Sequence, residues 1–153
     1  MSQRNAALVI SPSRAEAVAA AKELAPLLSA AGFSLFTISD VAIDGIKKVT
    51  PTELPEIEIA VVLGGDGTIL RAAEITLKRN IPLLGINMGH VGFMAEVERP
   101  SIAAIAESII SKSYVSEDRM VLSYSVERNG TVVNTGWALN EITVERTTSA
   151  MVE

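Results

Sequence analysis

The sequence predicts a three-layer α/β domain with a mainly parallel sheet, followed by the first strands of an incomplete β-rich domain. Three observations carry that expectation. The apolar runs Ala6–Ile10 and Ile59–Leu63 read as strands buried on both faces, as a parallel sheet requires. Stripes at helical spacing stand between such runs, which is the order of a βαβ chain. Near Ser116 the helical period gives way to partly alternating, extended sequence, so a boundary is expected within 115–119 and domains at 1–117 and 118–153. The first domain is thus Rossmann-like or flavodoxin-like in class.

The elements follow in order. Ala6–Ile10 is broken by Ser11-Pro12-Ser13, and Ser13 with Glu16 makes a capping-box signature. Ala17, Ala20, Ala21, Leu24, Leu27, Leu28 and Ala31 then recur at helical spacing, with Gly32 as the stop and a kink expected at Pro26. Phe33–Ser39 is a second strand and completes a right-handed βαβ unit. Residues 40–58 show no period, hold Gly45, Pro51 and Pro55, and read as a long surface connection with room for one helical turn, placed to lie over the site. Ile59–Leu63 runs into a glycine turn, and a helix from Thr68 to Arg79 carries Ile69, Ala72, Ala73 and Leu77 on its apolar stripe.

After Asn80-Ile81-Pro82 the run Leu83–Ile86 is another buried strand, leading into a second glycine-bearing loop from Asn87 to Phe93. Both glycine loops should emerge at the carboxyl edge of the sheet, where open α/β sheets bind ligands. Ser101 caps a helix whose stripe is Ile102, Ile105, Ala106, Ile109 and Ile110. Beyond Ser116, Leu122, Tyr124 and Val126 alternate, Asn129-Gly130 is a hairpin turn, Thr131–Val133 resumes the strand, and 137–139 and 142–144 continue extended. So short a β segment has exposed edges and little core.

Composition bounds the function. Of 153 residues, 48% are hydrophobic and 4% aromatic, enough for a packed, aliphatic core. A net charge of −5 argues against a general nucleic-acid binder, yet a nucleotide needs only a local patch. The absence of cysteine excludes disulfides, thiolate metal sites and a cysteine nucleophile, and the single His90 excludes a His-rich metal cluster. No apolar run approaches the roughly 20 residues of a membrane span. The residues before Ala6 lack a secretory signal, so a cytoplasmic protein is expected, without membrane or nucleic-acid partners.

The chemistry concentrates in Gly64-Gly65-Asp66-Gly67-Thr68. A buried strand, a tight glycine turn and a helix start bring backbone N–H groups and a helix dipole to one point, which attracts phosphate. A carboxylate there repels the ligand the turn invites, so Asp66 needs a task of its own, either metal binding or proton abstraction. The bland alternative is that Asp66 caps the helix, worth about 1 kcal/mol. Capping explains one glycine and leaves two without a reason. Neither Gly-x-x-x-x-Gly-Lys-Ser/Thr nor Gly-x-Gly-x-x-Gly is present, which disfavours a phosphate-loop NTPase and an ordinary dinucleotide-binding oxidoreductase.

Gly64-Gly65-Asp66-Gly67-Thr68, then Asn87-Met88-Gly89-His90-Val91-Gly92-Phe93, then Leu139-Asn140-Glu141 resembles the NAD kinase family in order and spacing, over the whole chain. The first motif is shared with diacylglycerol-kinase-like lipid kinases; the other two are more particular, and Gly136-Trp137-Ala138-Leu139-Asn140-Glu141 looks most like actinobacterial members. The resemblance implies ATP-dependent phosphorylation of the adenosine ribose 2′-hydroxyl of NAD, with polyphosphate as an alternative donor and Mg²⁺ or another divalent cation carried with the phosphates. It implies that Asp66 is the general base, that Gly64, Gly65 and Gly67 line the nucleotide, and that Arg71 contacts the dinucleotide. Phe93 would then pack near the adenine, and Asn140 and Glu141 would hold the ribose and adenine side.

The structural alternatives are a solvated Arg71, a loop-ordering His90, a core Phe93, strand-surface Asn140 and Glu141, and a packing Trp137. The family's later Gly-Ser-Thr-Ala-Tyr-type segment is not in this sequence, which predicts a truncated and inactive, or nearly inactive, fragment of the enzyme. A homo-oligomer is expected from the family. The rival functions are a lipid kinase, which comparison of NAD with diacylglycerol as acceptor would reveal, and a non-catalytic nucleotide-binding or interaction module.

Overall fold

The computed structural model describes residues 3–87, 101–139 and 142–144. These divide into two compact units, 1–116 and 117–153. In the first, five strands form one parallel sheet: β1 (Arg4–Ile10), β2 (Phe33–Thr37), β3 (Ile46–Lys48), β4 (Ile59–Gly64) and β5 (Leu83–Asn87), ordered β3-β2-β1-β4-β5. Burial follows that order. β4 is buried at every residue and β1 over its last five, while β2 alternates and β3, at the edge, is half-buried to exposed. Apolar content therefore rises towards the middle of the sheet, as double-sided cover demands.

Helix α1 (Ala15–Ala30) joins β1 to β2, and α2 (Asp66–Thr76), extended by a 3-10 turn Leu77–Arg79, joins β4 to β5. The two crossovers run in opposite directions from the centre of the sheet, so one handedness places their helices on opposite faces. Ala17, Ala21, Leu24 and Leu28 of α1 share one core with Leu8, Val61 and Leu63 and with Ile105 and Ile109 of α3 (Ile102–Ser111). Ala72 and Ile75 of α2 share the other with Ala7, Val9, Ala60 and Val62. The result is three layers, with the strand order reversing between β1 and β4.

Several local expectations change. The helix α1 starts after Arg14, not Ser13, and no side chain caps it, so the Ser13–Glu16 capping box does not form; Ser13 faces Ser11 Oγ at 3.4 Å instead. The helix continues through Pro26 to Ala30, with Ala31 as its C-cap and Gly32 at φ +90 as the stop. Residues 40–58 are not a featureless connection: they contain β3 and bury Ile43, Leu54 and Ile57 against the two cores. The stripe of α2 is narrower than expected, since Leu77 is exposed. Ser101 caps α3 as expected, its Oγ accepting from Ala104 N at 3.1 Å.

The second unit contains an antiparallel hairpin, β6 (Leu122–Arg128) and β7 (Thr131–Ala138). Asn129 and Gly130 both take positive φ, 52 and 76, and Arg128 pairs with Thr131 directly across the turn. This is the primed turn that a two-residue Asn-Gly loop selects. Gly136 stands opposite Tyr124, whose ring leaves no room for a Cβ. Ile142–Val144 is exposed and is not assigned to a strand.

Candidate functional site

β4 stays buried to its last residue, and the chain then turns directly into α2. Gly64 is buried, and a Cβ there would stand 2.8 Å from Thr68 Cβ and closer still to the Thr68 hydroxyl. The first turn of the helix therefore sits on the end of the strand, an approach that only glycine permits. Gly65, in extended conformation, holds the capping position, and its carbonyl accepts from Thr68 N and Ile69 N, both at 3.0 Å. No side chain caps α2. The N–H groups of Asp66 and Gly67 have no acceptor among the described residues.

The helix begins at Asp66, two residues before the expected Thr68. Asp66 is exposed and makes no side-chain hydrogen bond among the described residues, so the capping role open from the sequence is not what it does. Gly67 lies inside the first helical turn, and a Cβ there would meet nothing within 4 Å. Within a helix, glycine is less favourable than alanine by about 0.5–1 kcal/mol. Gly67 thus leaves a space that no described side chain fills.

A cation unnoticed in the sequence completes the turn. Arg14, the last residue before α1, reaches across from the β1 side, and its Nη2 lies 3.1 Å from the position of a Gly65 Cβ, its Cζ 3.6 Å. It is half-buried, with no hydrogen-bond or ion-pair partner among the described residues. The signal that could have found it is topological: an arginine closing the loop after β1 lands beside the loop after β4, because those strands are neighbours. The floor between them is hydrogen-bonded. Ser11 N donates to Leu63 O at 2.9 Å, and Ile10 N donates to the buried Ser39 Oγ at 2.8 Å, while Ser39 N donates to Thr37 Oγ1 at 3.0 Å.

Arg71, one turn along α2, donates from Nη2 to the Ile38 carbonyl at 3.0 Å and so ties the helix to the end of β2. Nearby, Asp40 accepts from Lys48 Nζ at 2.6 Å. That bond, with the charges of Lys48 and Arg71, holds the Asp40 carboxyl below its ordinary 3.8. Gly64, Gly65, Asp66, Gly67 and Arg71 are thereby brought to one edge, together with Arg14. Asn87 ends β5 beside Gly64. His90, Phe93, Asn140 and Glu141 lie outside the described residues.

The edge combines unpaired helix amides, a guanidinium and a solvent-facing carboxylate at the point where the strand order reverses. In open α/β sheets that point is the ligand crevice. The amides and guanidinium suit an anion such as a phosphate chain, and the carboxylate suits a proton or a cation.

The family described as ATP-NAD kinase N-terminal domain matches residues 6–114. NAD kinase 2 of Streptomyces avermitilis is 44% identical over 101 residues, 66% of this chain and 34% of that protein. NAD kinase of Mycobacterium tuberculosis is 35% identical over an alignment of 161 residues, 94% of this chain and 52% of that protein. NAD kinase of Corynebacterium jeikeium is 51% identical over 90 residues, 58% of this chain and 27% of that protein. The chain spans about half the length, or less, of the curated relatives it matches. With a family match over most of its length and the motif-bearing turn at the switch point of the sheet, the chain belongs to the NAD kinase family.

Proposed function

We propose that this chain supplies the base-bearing part of an enzyme that phosphorylates the 2′-hydroxyl of the NAD adenosine ribose, giving NADP. In this assignment residues 1–117 are the nucleotide-binding domain and 118–153 open an all-β NAD-binding domain. Asp66 carries the assignment: an exposed carboxylate at the sheet's switch point that no backbone amide uses as a cap. Asp66 takes the proton of the 2′-hydroxyl as its oxygen bonds to the terminal phosphorus of ATP, the bridging P–O bond breaks and ADP leaves. Little covalent work falls to the protein, so positioning and charge stabilisation dominate.

The remaining residues divide those tasks. Gly64 and Gly65 let the backbone close on the ligand, Gly67 leaves the space it occupies, and the Asp66 and Gly67 amides face its charge. Arg71 steadies the dinucleotide side from its anchor on the Ile38 carbonyl just after β2, Phe93 packs against the adenine, and Asn140 and Glu141 hold the ribose and adenine side. Among the described residues no three His, Asp or Glu side chains stand together as metal ligands. A divalent cation would therefore arrive carried on the triphosphate, where it would neutralise phosphate charge, and Asp66 would stay free to act as base. Polyphosphate would satisfy the same anion site. Among the described residues no helix is long and apolar enough to cross a membrane; a cytoplasmic homo-oligomer suits the assignment.

The test is NADP formation from ATP and NAD by the protein carrying these residues, with Asp66 and with Asp66→Asn. The substitution is expected to lower kcat by about 10²–10⁴ without unfolding the chain, because no described group depends on that carboxylate. Turnover within a few-fold of the parent would remove Asp66 from the chemistry and the assignment with it.

A further inference from the structure

We infer that Arg14 is the side chain that grips the phosphate chain of the donor, reaching the glycine turn from the neighbouring strand's loop. The inference rests on the kinase assignment and adds to it a residue that no motif contains. Four observations support it. The guanidinium is seated against Gly65, with Nη2 3.1 Å from where a Cβ would be. Its own helix does not use it, for α1 has no side-chain cap and Arg14 contributes only its backbone carbonyl, to Ala17 N and Val18 N. It forms no ion pair with Asp66 or any other carboxylate among the described residues, although Asp66 adjoins the glycine it touches. Finally, Gly67 on the same turn leaves a space: beyond its own helical turn, no atom of the described residues comes within 4 Å of where its Cβ would be.

The chemistry follows from the charges. A triphosphate brought to Asp66 meets a like charge, and the two unpaired amides of α2 offset it only partly. A guanidinium one residue away supplies a full positive charge and a planar fork that binds two phosphate oxygens at once. Because β1 and β4 are adjacent, Arg14 and the glycine turn would hold the phosphate chain from both sides of the switch point, leaving the Asp66 carboxylate to the acceptor hydroxyl. Arg71 does not substitute for it, being held by the Ile38 carbonyl.

The test uses the whole 153-residue chain with two probes, inorganic triphosphate with Mg²⁺ and NAD, titrated separately while the backbone amide signals of Gly65–Thr68 are followed. The parent chain should bind triphosphate saturably at those amides. Arg14→Gln should weaken that binding tenfold or more and leave NAD affinity within twofold; Arg14→Lys, keeping the charge and losing the fork, should fall between. A thermal melt within ~4 °C of the parent shows that Arg14→Gln folds, as expected for a side chain with no described partner. Should it not fold, Arg14→Lys alone decides, by a severalfold loss for triphosphate and none for NAD.

Triphosphate affinity unchanged in Arg14→Gln, equal losses for both probes, or no saturable shift in the parent would each overturn the inference. Failure of the kinase assignment looks different: Asp66→Asn turning over within a few-fold of the parent removes the base, while triphosphate held through Arg14 leaves this inference standing.

Discussion

Three glycines in four positions serve three different ends. Gly64 is needed by the protein, because Thr68 occupies the space of its Cβ. Gly65 is bounded by a movable guanidinium, and Gly67 by nothing in the described chain. Gly64→Ala should therefore lower stability by about 1–3 kcal/mol, as overpacking does, readable as a drop in the urea midpoint. A neutral result would mean that strand and helix separate freely. From the sequence the cluster and its carboxylate were legible, since a buried run ending in glycines has few other meanings. Arg14 was not, because its partner is a backbone position some fifty residues away, and no periodicity marks a cation that acts across a sheet.

At the scale of elements, the central strands and the helices were legible wherever burial is two-sided or the apolar stripe is regular. β3 was missed because Ile46-Lys47-Lys48 offers one apolar residue and gains its order from pairing with Leu35–Thr37. Ser13 misled because a capping residue is recognised by sequence one position at a time, and here the helix starts later. The sequence also hid the clamp at the amino edge. Arg4 forms a two-pronged pair with Glu58, Nη2 to Oε1 at 2.6 Å and Nε to Oε2 at 2.9 Å. It also donates to the carbonyls of Ile110 at 2.9 Å and Ile109 at 3.2 Å, and lies 4.2 Å above the Phe33 ring.

One side chain thus binds the starts of β1, β2 and β4 to the C-terminus of α3. The hydrogen bond from Arg4, with the charges of Arg4 and Lys112, holds the Glu58 carboxyl below its ordinary 4.5 against the opposing effect of burial. A carboxyl depressed in the folded state contributes fully above about its unfolded value and loses that contribution as pH falls through the folded one. Urea midpoints measured from pH 6 down to pH 3 should fall more steeply for the parent than for Glu58→Gln, which should already be less stable at pH 6. Parallel curves would show that the pair contributes nothing to folding. Arg4→Met should cost about 1.5–3 kcal/mol at pH 6, with the α3 amides losing hydrogen-exchange protection first.

At the scale of the molecule, the strand order β3-β2-β1-β4-β5 makes the site. Two crossovers of one hand leave the centre of the sheet in opposite directions, and the loops after β1 and β4 part to expose a crevice. The sequence foretold that the glycine turn after β4 opens at the carboxyl edge, the second glycine loop lying outside the described residues beyond Asn87; it could not foretell that β4 returns beside β1, which is what brings Arg14 to Gly65. In the second unit the Asn-Gly turn fixed the hairpin in advance. Its exposed Val126, Val132 and Val133 show that two strands do not bury their own apolar residues. An isolated pair of strands is marginal, so residues 117–153 expressed alone should give a random-coil spectrum, and a cooperative melt would contradict that expectation.

We propose that the turn after β4 is shaped for a ligand and not for the fold, and Gly67→Ala separates the two most directly. Thermal melts of parent and variant, with and without ATP and Mg²⁺, measure both quantities in one experiment. The variant should show an unliganded Tm equal to or above the parent's, with the nucleotide-induced rise in Tm lost. A lower Tm with the nucleotide effect intact would show that the glycine serves the helix, and that the open space beside Asp66 has no occupant.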